Sequence, residues 1–259
     1  MTSAVAAPRS TSMPPAADPF NDVPPVGDFF TLRCYTTKRI PFALPDGGIL
    51  EQPVDALDAA ATDFDMTGQI VWQISRATAA YLAHVGQREL AGRRVLELGA
   101  GAGLVGLVAS HWAREVVLSD NEGEVLSLLS RNLAHVPPTC RASVVELDWG
   151  NEQQHAELRA AGLAPFPVIV GADIVFWSSA IAPLIASVAA LLERAPEAVF
   201  ILGYCNRVES MRTRLLEEAA RAGLDWIIVG WDWLGAEEVE YTGLNNMALY
   251  RFSWRQVKQ

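Results

Sequence analysis

Four acids stand where buried strands run out, and the first of them stands beside a glycine turn. Residues 95–106 read VLELGAGAGLVG, an apolar run carrying Glu97 and then glycines at 99, 101 and 103. Such a run is a buried strand turning sharply into a helix with its backbone left bare, the way doubly wound α/β proteins build a nucleotide pocket. A dinucleotide site takes G-x-G-x-x-G and aims a helix N-terminus at a pyrophosphate. Here the glycines Gly99, Gly101 and Gly103 fall at every second position and an acid precedes them. That carboxylate repels a pyrophosphate and suits a cationic ligand. Asp120 follows Gly103 by 17 residues, a spacing at which one carboxylate can accept both ribose hydroxyl hydrogens of a nucleoside. Asp148 and Trp149 place an acceptor beside a large aromatic face, a pair suited to adenine. Ala172 and Asp173 end a fourth strand-like run.

The elements that must position these residues alternate between helical and strand patterns from Gly68 onward, the signature of a mainly parallel sheet. Ile74, Thr78, Tyr81, Leu82 and Val85 share one face of a covering helix within Ile70–Val85. Strands are expected at Val95–Leu98, Glu115–Leu118, Ser143–Leu147, Val168–Val170 and Ala198–Gly203. Helices are expected at Leu104–Trp112, Glu122–Leu133, from Ile181 to Leu192 and at Glu209–Ala222, the last closed by Gly223. Two further runs, Trp226–Trp231 and Met247–Trp254, are joined by the acidic segment Gly235–Tyr241, too short for a crossover, so the sheet finishes antiparallel. The expected fold is therefore α/β, a doubly wound, Rossmann-like seven-stranded sheet, mostly parallel with an antiparallel C-terminal strand. FFTLRCYTT and FALPDGGILEQ, within residues 29–52, read as a β-hairpin with a PDGG turn in front of it. Residues 1–27, with six prolines and almost no periodic apolar pattern, read as a disordered tail. The domain reading is a tail at 1–27, a hairpin extension at 28–67 and the main domain at 68–259.

Composition narrows the function classes. Hydrophobic residues make up 51% of 259, enough for a substantial core, and no run reaches the roughly 18 apolar residues of a membrane span. No apolar h-region follows a basic start, so no signal peptide is expected. Thirty acids against 20 bases give a net charge of −10, which argues against a nucleic-acid partner. Cys34, Cys140 and Cys205 are far apart and in no C-x-x-C pair, and His84, His111, His135 and His155 lack metal-ligand spacing. No metal and no disulfide scaffold are expected, and a reducing compartment, the cytoplasm with the nucleus also open, follows.

These residues resemble those of class I S-adenosylmethionine-dependent methyltransferases, and within them the seven-β-strand family 16 group, which includes protein-lysine methyltransferases. The resemblance is carried by GQIVWQISRATAAYL at 68–82, VLELGAGAGLVG at 95–106, LSDNEGEVLSLLSRN at 118–132, VVELDWG at 144–150 and VIVGADIVFW at 168–177. It implies that Glu97 orients the first turn and the methionine end of the cofactor, with the backbone of Gly99, Ala100 and Gly101 approaching it. It further implies that Asp120 holds the ribose with Asn121 beside it, that Asp148 and Trp149 flank the adenine, and that Trp72 lies against the cofactor. Ala172 would line the pocket through its backbone. Asp173 and Phe176 occupy the place of the group's D-x-x-Y/F motif, which shapes a substrate-lysine channel; Phe176 has no hydroxyl and offers only a ring face or a wall.

The function expected on this resemblance is methyl transfer to a lysine amine of a protein substrate. Asp173 is expected to orient the amine or accept its proton. A small molecule or another side chain such as histidine is the alternative acceptor, since fold does not fix substrate. A non-catalytic cofactor-binding scaffold is the alternative of another class. A base-methylating enzyme is disfavoured by the charge and by ADIVF at 172–176 in place of N/D-P-P-Y/F, and an NAD dehydrogenase by Glu97.

Overall fold

The computed structural model describes residues 35–58, 64–234 and 246–256. The expected tail, the first residues of the expected hairpin and the acidic link at 235–241 lie outside the described residues. A two-stranded antiparallel ribbon comes first, β1 (Thr36–Ala43) and β2 (Ile49–Ala56), around the expected PDGG turn. Its first strand, expected within 29–37, runs in the described residues through TTKRIPFA, from Thr36 to Ala43. Pro41 cannot donate to a ladder, which a ribbon with two free edges tolerates.

The main sheet has seven strands: β3 (Arg94–Leu98), β4 (Glu115–Asp120), β5 (Arg141–Glu146), β6 (Val168–Ala172), β7 (Val199–Cys205), β8 (Leu224–Val229) and β9 (Met247–Trp254). Their order is β5-β4-β3-β6-β7-β9-β8, with β9 antiparallel to both neighbours and the other pairings parallel. The chain moves outward from β3 to β5 and then returns to lay β6 on the other side of β3. Order therefore reverses between β3 and β6, and their carboxyl ends frame the crevice where open α/β sheets bind ligands.

Alternation along the central strands divides the core between two faces. Val95, Val168, Val170 and Ile201 pack beneath the ribbon, α1 (Gln73–Glu89) and α2 (Leu104–Ala109). Leu96, Leu98, Ile169, Phe200 and Leu202 pack on the opposite face with α5 (Ile181–Leu191) and α6 (Glu209–Arg221). Leu118 meets Val125 and Leu129 of α3 (Gly123–Asn132). The one described α-helix the sequence reading lacked is α4 (Glu152–Ala160), opened by Asn151, whose side chain accepts from the Gln154 backbone N–H. Only His155 and Leu158 of it are buried, too sparse an apolar pattern to read as a helix face.

One buried side chain ties the ribbon to the glycine turn. Asn132, fully buried at the end of α3, accepts from the Asp55 N–H at 2.8 Å and donates to the carbonyls of Asp55 at 2.9 Å and Ala102 at 2.8 Å. Beside it, burial pushes the Asp55 carboxyl up, but hydrogen bonds from Thr37, Arg131 and His135 outweigh this and leave it below its usual value. No described helix is long and apolar enough to cross a membrane, and no group of three or more His, Cys, Asp and Glu among the described residues could hold a metal.

Candidate active site

A cavity of about 430 Å³ opens at the carboxyl ends of β3, β4 and β5. The turn after β3 forms its floor. Gly99 and Gly101 have φ of +57° and +55°, and a Cβ on Gly101 would stand 2.7 Å from the Gly68 carbonyl oxygen. Left-handed backbone and close approach both require glycine there. On Gly99 a Cβ would meet Ile174 at 2.8 Å and Trp149 at 3.1 Å, so the bare backbone is what leaves room between the turn and the far wall.

Asp120, at the end of β4, forms one side. Its carboxylate accepts from the N–H of Gly101 at 3.0 Å and of Asn121 at 2.9 Å and keeps acceptor capacity beyond the backbone groups that bond it. Burial raises its pKa, and the N–H groups of Gly101, Asn121 and Glu122 oppose that rise. Asp148, Trp149 and Leu147 supply an acceptor, a ring and an apolar wall, and Ile174, Phe176 and Trp177 close the β6 side.

Glu97 lies beneath the turn that it is expected to orient. Counting from Val95 at period two, its side chain points to the helix-α2 face of the sheet, where Oε2 accepts the Gly106 N–H at 2.7 Å. It is 3% exposed, absent from the cavity lining, and burial pushes its carboxyl up to about 8. Glu97 thus braces the turn from below through the first turn of α2. Ala100, Gly101 and Gly103 also lie outside the cavity lining, Gly101 packing against Gly68. They close the turn on itself, Gly103 donating to the Ala100 carbonyl at 2.7 Å and Ala100 to that of Ser119 at 2.9 Å.

A smaller recess of about 140 Å³ adjoins the cavity, sharing Thr67, Phe176 and Trp177 with it and adding Trp72 and Asp173. Trp72 begins α1 and is anchored by its indole N–H to the Thr67 carbonyl at 3.0 Å. Ala172 lies one residue before the recess and lines neither space. Asp173 has φ +60°, the one positive φ outside glycine among the described residues, and its N–H donates to the Gly203 carbonyl at 2.9 Å. Its carboxylate is held bidentately by Arg207, Nη1 to Oδ1 at 2.7 Å and Nη2 to Oδ2 at 2.9 Å. The same guanidinium lies over the Phe176 ring, 4.6 Å from its centroid. Sequence reasoning missed Arg207, which follows the end of β7 by two residues. The strand-end rule that found the other acids, carried one strand further, reaches it.

The reversal in strand order, the bare turn after β3 and the acids at successive strand ends define a class I S-adenosylmethionine-dependent methyltransferase. Residues 52–220 match the family model described as lysine methyltransferase, and the chain belongs to that family. It is 37% identical over 109 residues to the mouse protein N-lysine methyltransferase METTL21A, covering 41% of this chain and 47% of that one. It is 31% identical over 144 residues to the Xenopus laevis histone-arginine methyltransferase METTL23, covering 53% of this chain and 57% of that one. The chain spans about half the length of these curated relatives. The solved glycopeptide N-methyltransferase MtfA with (S)-adenosyl-L-methionine matches at 18% identity and a TM-score of 0.50, covering 70% of this chain and 87% of that one, a likeness of fold.

S-adenosylmethionine is the cofactor of this family. The residues present fit it: a volume within the usual range for such ligands, a cradle that a Cβ at Gly99 would fill, a carboxylate with acceptor capacity and an aromatic wall.

Proposed function

We propose that this protein methylates the side-chain amine of a lysine in a protein substrate. Asp120 and Asn121 would hold the ribose, Asp148, Leu147 and Trp149 the adenine, and the backbone of Gly99 and Gly101 the methionine end, with Glu97, Ala100 and Gly103 keeping the turn in shape. When bound, S-adenosylmethionine supplies an electrophilic methyl group on a sulfonium, which a neutral amine nitrogen takes in line as the carbon–sulfur bond breaks and its electron pair stays on sulfur. A lysine amine, with a pKa of about 10.4, is charged at neutral pH and must shed a proton first. Trp72, Phe176 and Trp177 wall the recess with rings, and that desolvation favours the neutral amine. Asp173 touches the amine and orients it. Its carboxylate is already paired with Arg207, so it serves better as an anchor than as a base, and the proton leaves to solvent.

The observation that carries this reading is the aromatic recess beside the larger cavity, with one carboxylate in its wall. Incubation with labelled S-adenosylmethionine and a proteome extract, followed by amino-acid analysis, tests it. Label on protein lysine is the expected result. Label in small molecules, or on histidine or arginine, would replace the acceptor, and tight cofactor binding without transfer to any extract would favour a non-catalytic scaffold.

A further inference from the structure

We propose that β8 is a self-association surface, through which two copies of this chain pair edge to edge across a two-fold axis and join their sheets.

β8 ends the sheet, with β9 on one side and no described strand on the other. Its ladder with β9 sets which backbone groups remain for a partner. The Arg255 N–H donates to the Gly223 carbonyl at 2.9 Å, so these two form a hydrogen-bonded pair of the antiparallel ladder, and pairs alternate from there along the strand. Asp225, Ile227 and Val229 therefore turn their N–H and carbonyl groups toward β9, while Leu224, Trp226 and Ile228 turn theirs to the open edge. Open edges are ordinarily guarded by charge, by proline or by a covering element. β5, at the other end of the sheet, exposes Arg141 and Glu146. β8 instead exposes Ile227 and Ile228, at 63% and 57%, on its two faces. Its one charge, Asp225, is paired with Arg255 at 2.9 Å.

Electrostatics and register both favour a second copy as the occupant. The chain carries a net charge of −10, yet α6, β8 and the adjoining Arg255 together hold four acids and four arginines, so two such faces meet without net repulsion. With Ile227 on the two-fold axis, Ile227 faces its own copy as a close, non-hydrogen-bonded pair, and Trp226 exchanges backbone hydrogen bonds with Ile228 of the second copy. That Ile228 then lies on the α6 face, where Trp226, Leu216 and Ala220 line a groove of about 280 Å³. An axis on Trp226 would set Ile227 against Asp225, and an axis on Ile228 would leave only Ile227 to Val229 within the ladder. The register centred on Ile227 is therefore the one that pairs apolar with apolar over the longest stretch, and it is isologous, as closed dimers require.

The test uses the full chain, with its natural cysteines, in analytical ultracentrifugation. A reversible monomer–dimer equilibrium with a Kd of about 100 μM or tighter is expected. Ile227→Lys puts two like charges on the axis and should weaken it by about 30-fold or more. Under mild oxidation Ile227→Cys should form a disulfide between copies, because non-hydrogen-bonded pairs stand within disulfide reach. Asp225→Cys, about 14 Å along the strand from its own copy in this register, should add no cross-link beyond that of the wild type. S-adenosylhomocysteine binding in each variant reports the fold, since β6, β7 and β9 separate β8 from β3. A chain that stays monomeric at concentrations well above that Kd, a dimer that Ile227→Lys leaves unchanged, or cross-linking equal at 225 and 227 would overturn the proposal. The first of these would leave the edge to an extended segment of another protein.

Discussion

The two halves of the carboxyl edge are built by different means. The donor half, at β3, β4 and β5, is made of backbone: a glycine turn with αL residues, an acid bonded to the N–H groups of Gly101 and Asn121, and Glu97 bonded underneath to Gly106. The acceptor half, at β6 and β7, is made of side chains: a strained Asp173, Arg207 from 34 residues away, and Phe176 and Trp177, which are 37% and 59% exposed. A ligand that never changes can be met by rigid backbone. On the proposed function, the acceptor would be met by side chains that can be exchanged without disturbing the turn, in keeping with relatives named for lysine in one case and arginine in another.

The sharpest way to break the donor half alone is Gly101→Val. A side chain there is forced into the left-handed region and against the Gly68 carbonyl, so S-adenosylhomocysteine affinity by calorimetry should fall by about 100-fold or more, with stability lower by about 2 kcal/mol. Asp120→Asn comes next. It removes the charge that would take the ribose hydrogens, and affinity should drop by about 30-fold, the size of one charge-assisted hydrogen-bonding group. Asn132→Ala probes the brace behind the turn. It strands the Asp55 N–H and two carbonyls, and urea unfolding should show a loss of about 2 kcal/mol with a smaller effect on cofactor affinity.

Glu97→Gln gives the smallest effect, and one visible mainly against pH. Folding raises the Glu97 carboxyl from 4.5 to about 8, so the folded state binds its proton more tightly than the unfolded chain does. The stability this contributes is full below the unfolded value and is lost as pH rises through about 8, and burial of Asp120 acts in the same direction. Between about pH 6 and about pH 9 the glutamine variant should therefore lose less stability than the wild type, measured by urea titration at each pH. Parallel losses would show that Glu97 ionises freely beneath the turn.

The same contrast explains what could be read from the chain. The donor half is local: Glu97, Gly99, Gly101 and Asp120 sit within 24 residues, and the strand ends expected at 98, 118 and 170 fall at or within two residues of the observed 98, 120 and 172. The mostly parallel sheet with its antiparallel C-terminal strand was legible from the alternation of strand and helix patterns and the short final link. The side Glu97 takes follows from period two along β3, which sends it beneath α2 and the turn it is expected to orient. The acceptor half depends on a pairing between two loops, and nothing local to Asp173 announces that Arg207 will neutralise it. Polar α4 and proline-bearing β1 were obscured because burial of one or two side chains, or free ribbon edges, decides them rather than periodicity.

The separability of the two halves is tested most directly in Asp173→Ala, by measuring S-adenosylhomocysteine affinity and label transfer to protein on the same preparation. Affinity within about twofold of the wild type, with transfer reduced by about 100-fold or more, is the expected pair of results. Affinity that falls in step with transfer, or transfer at the wild-type rate, would contradict the division of the site into a donor half and an acceptor half.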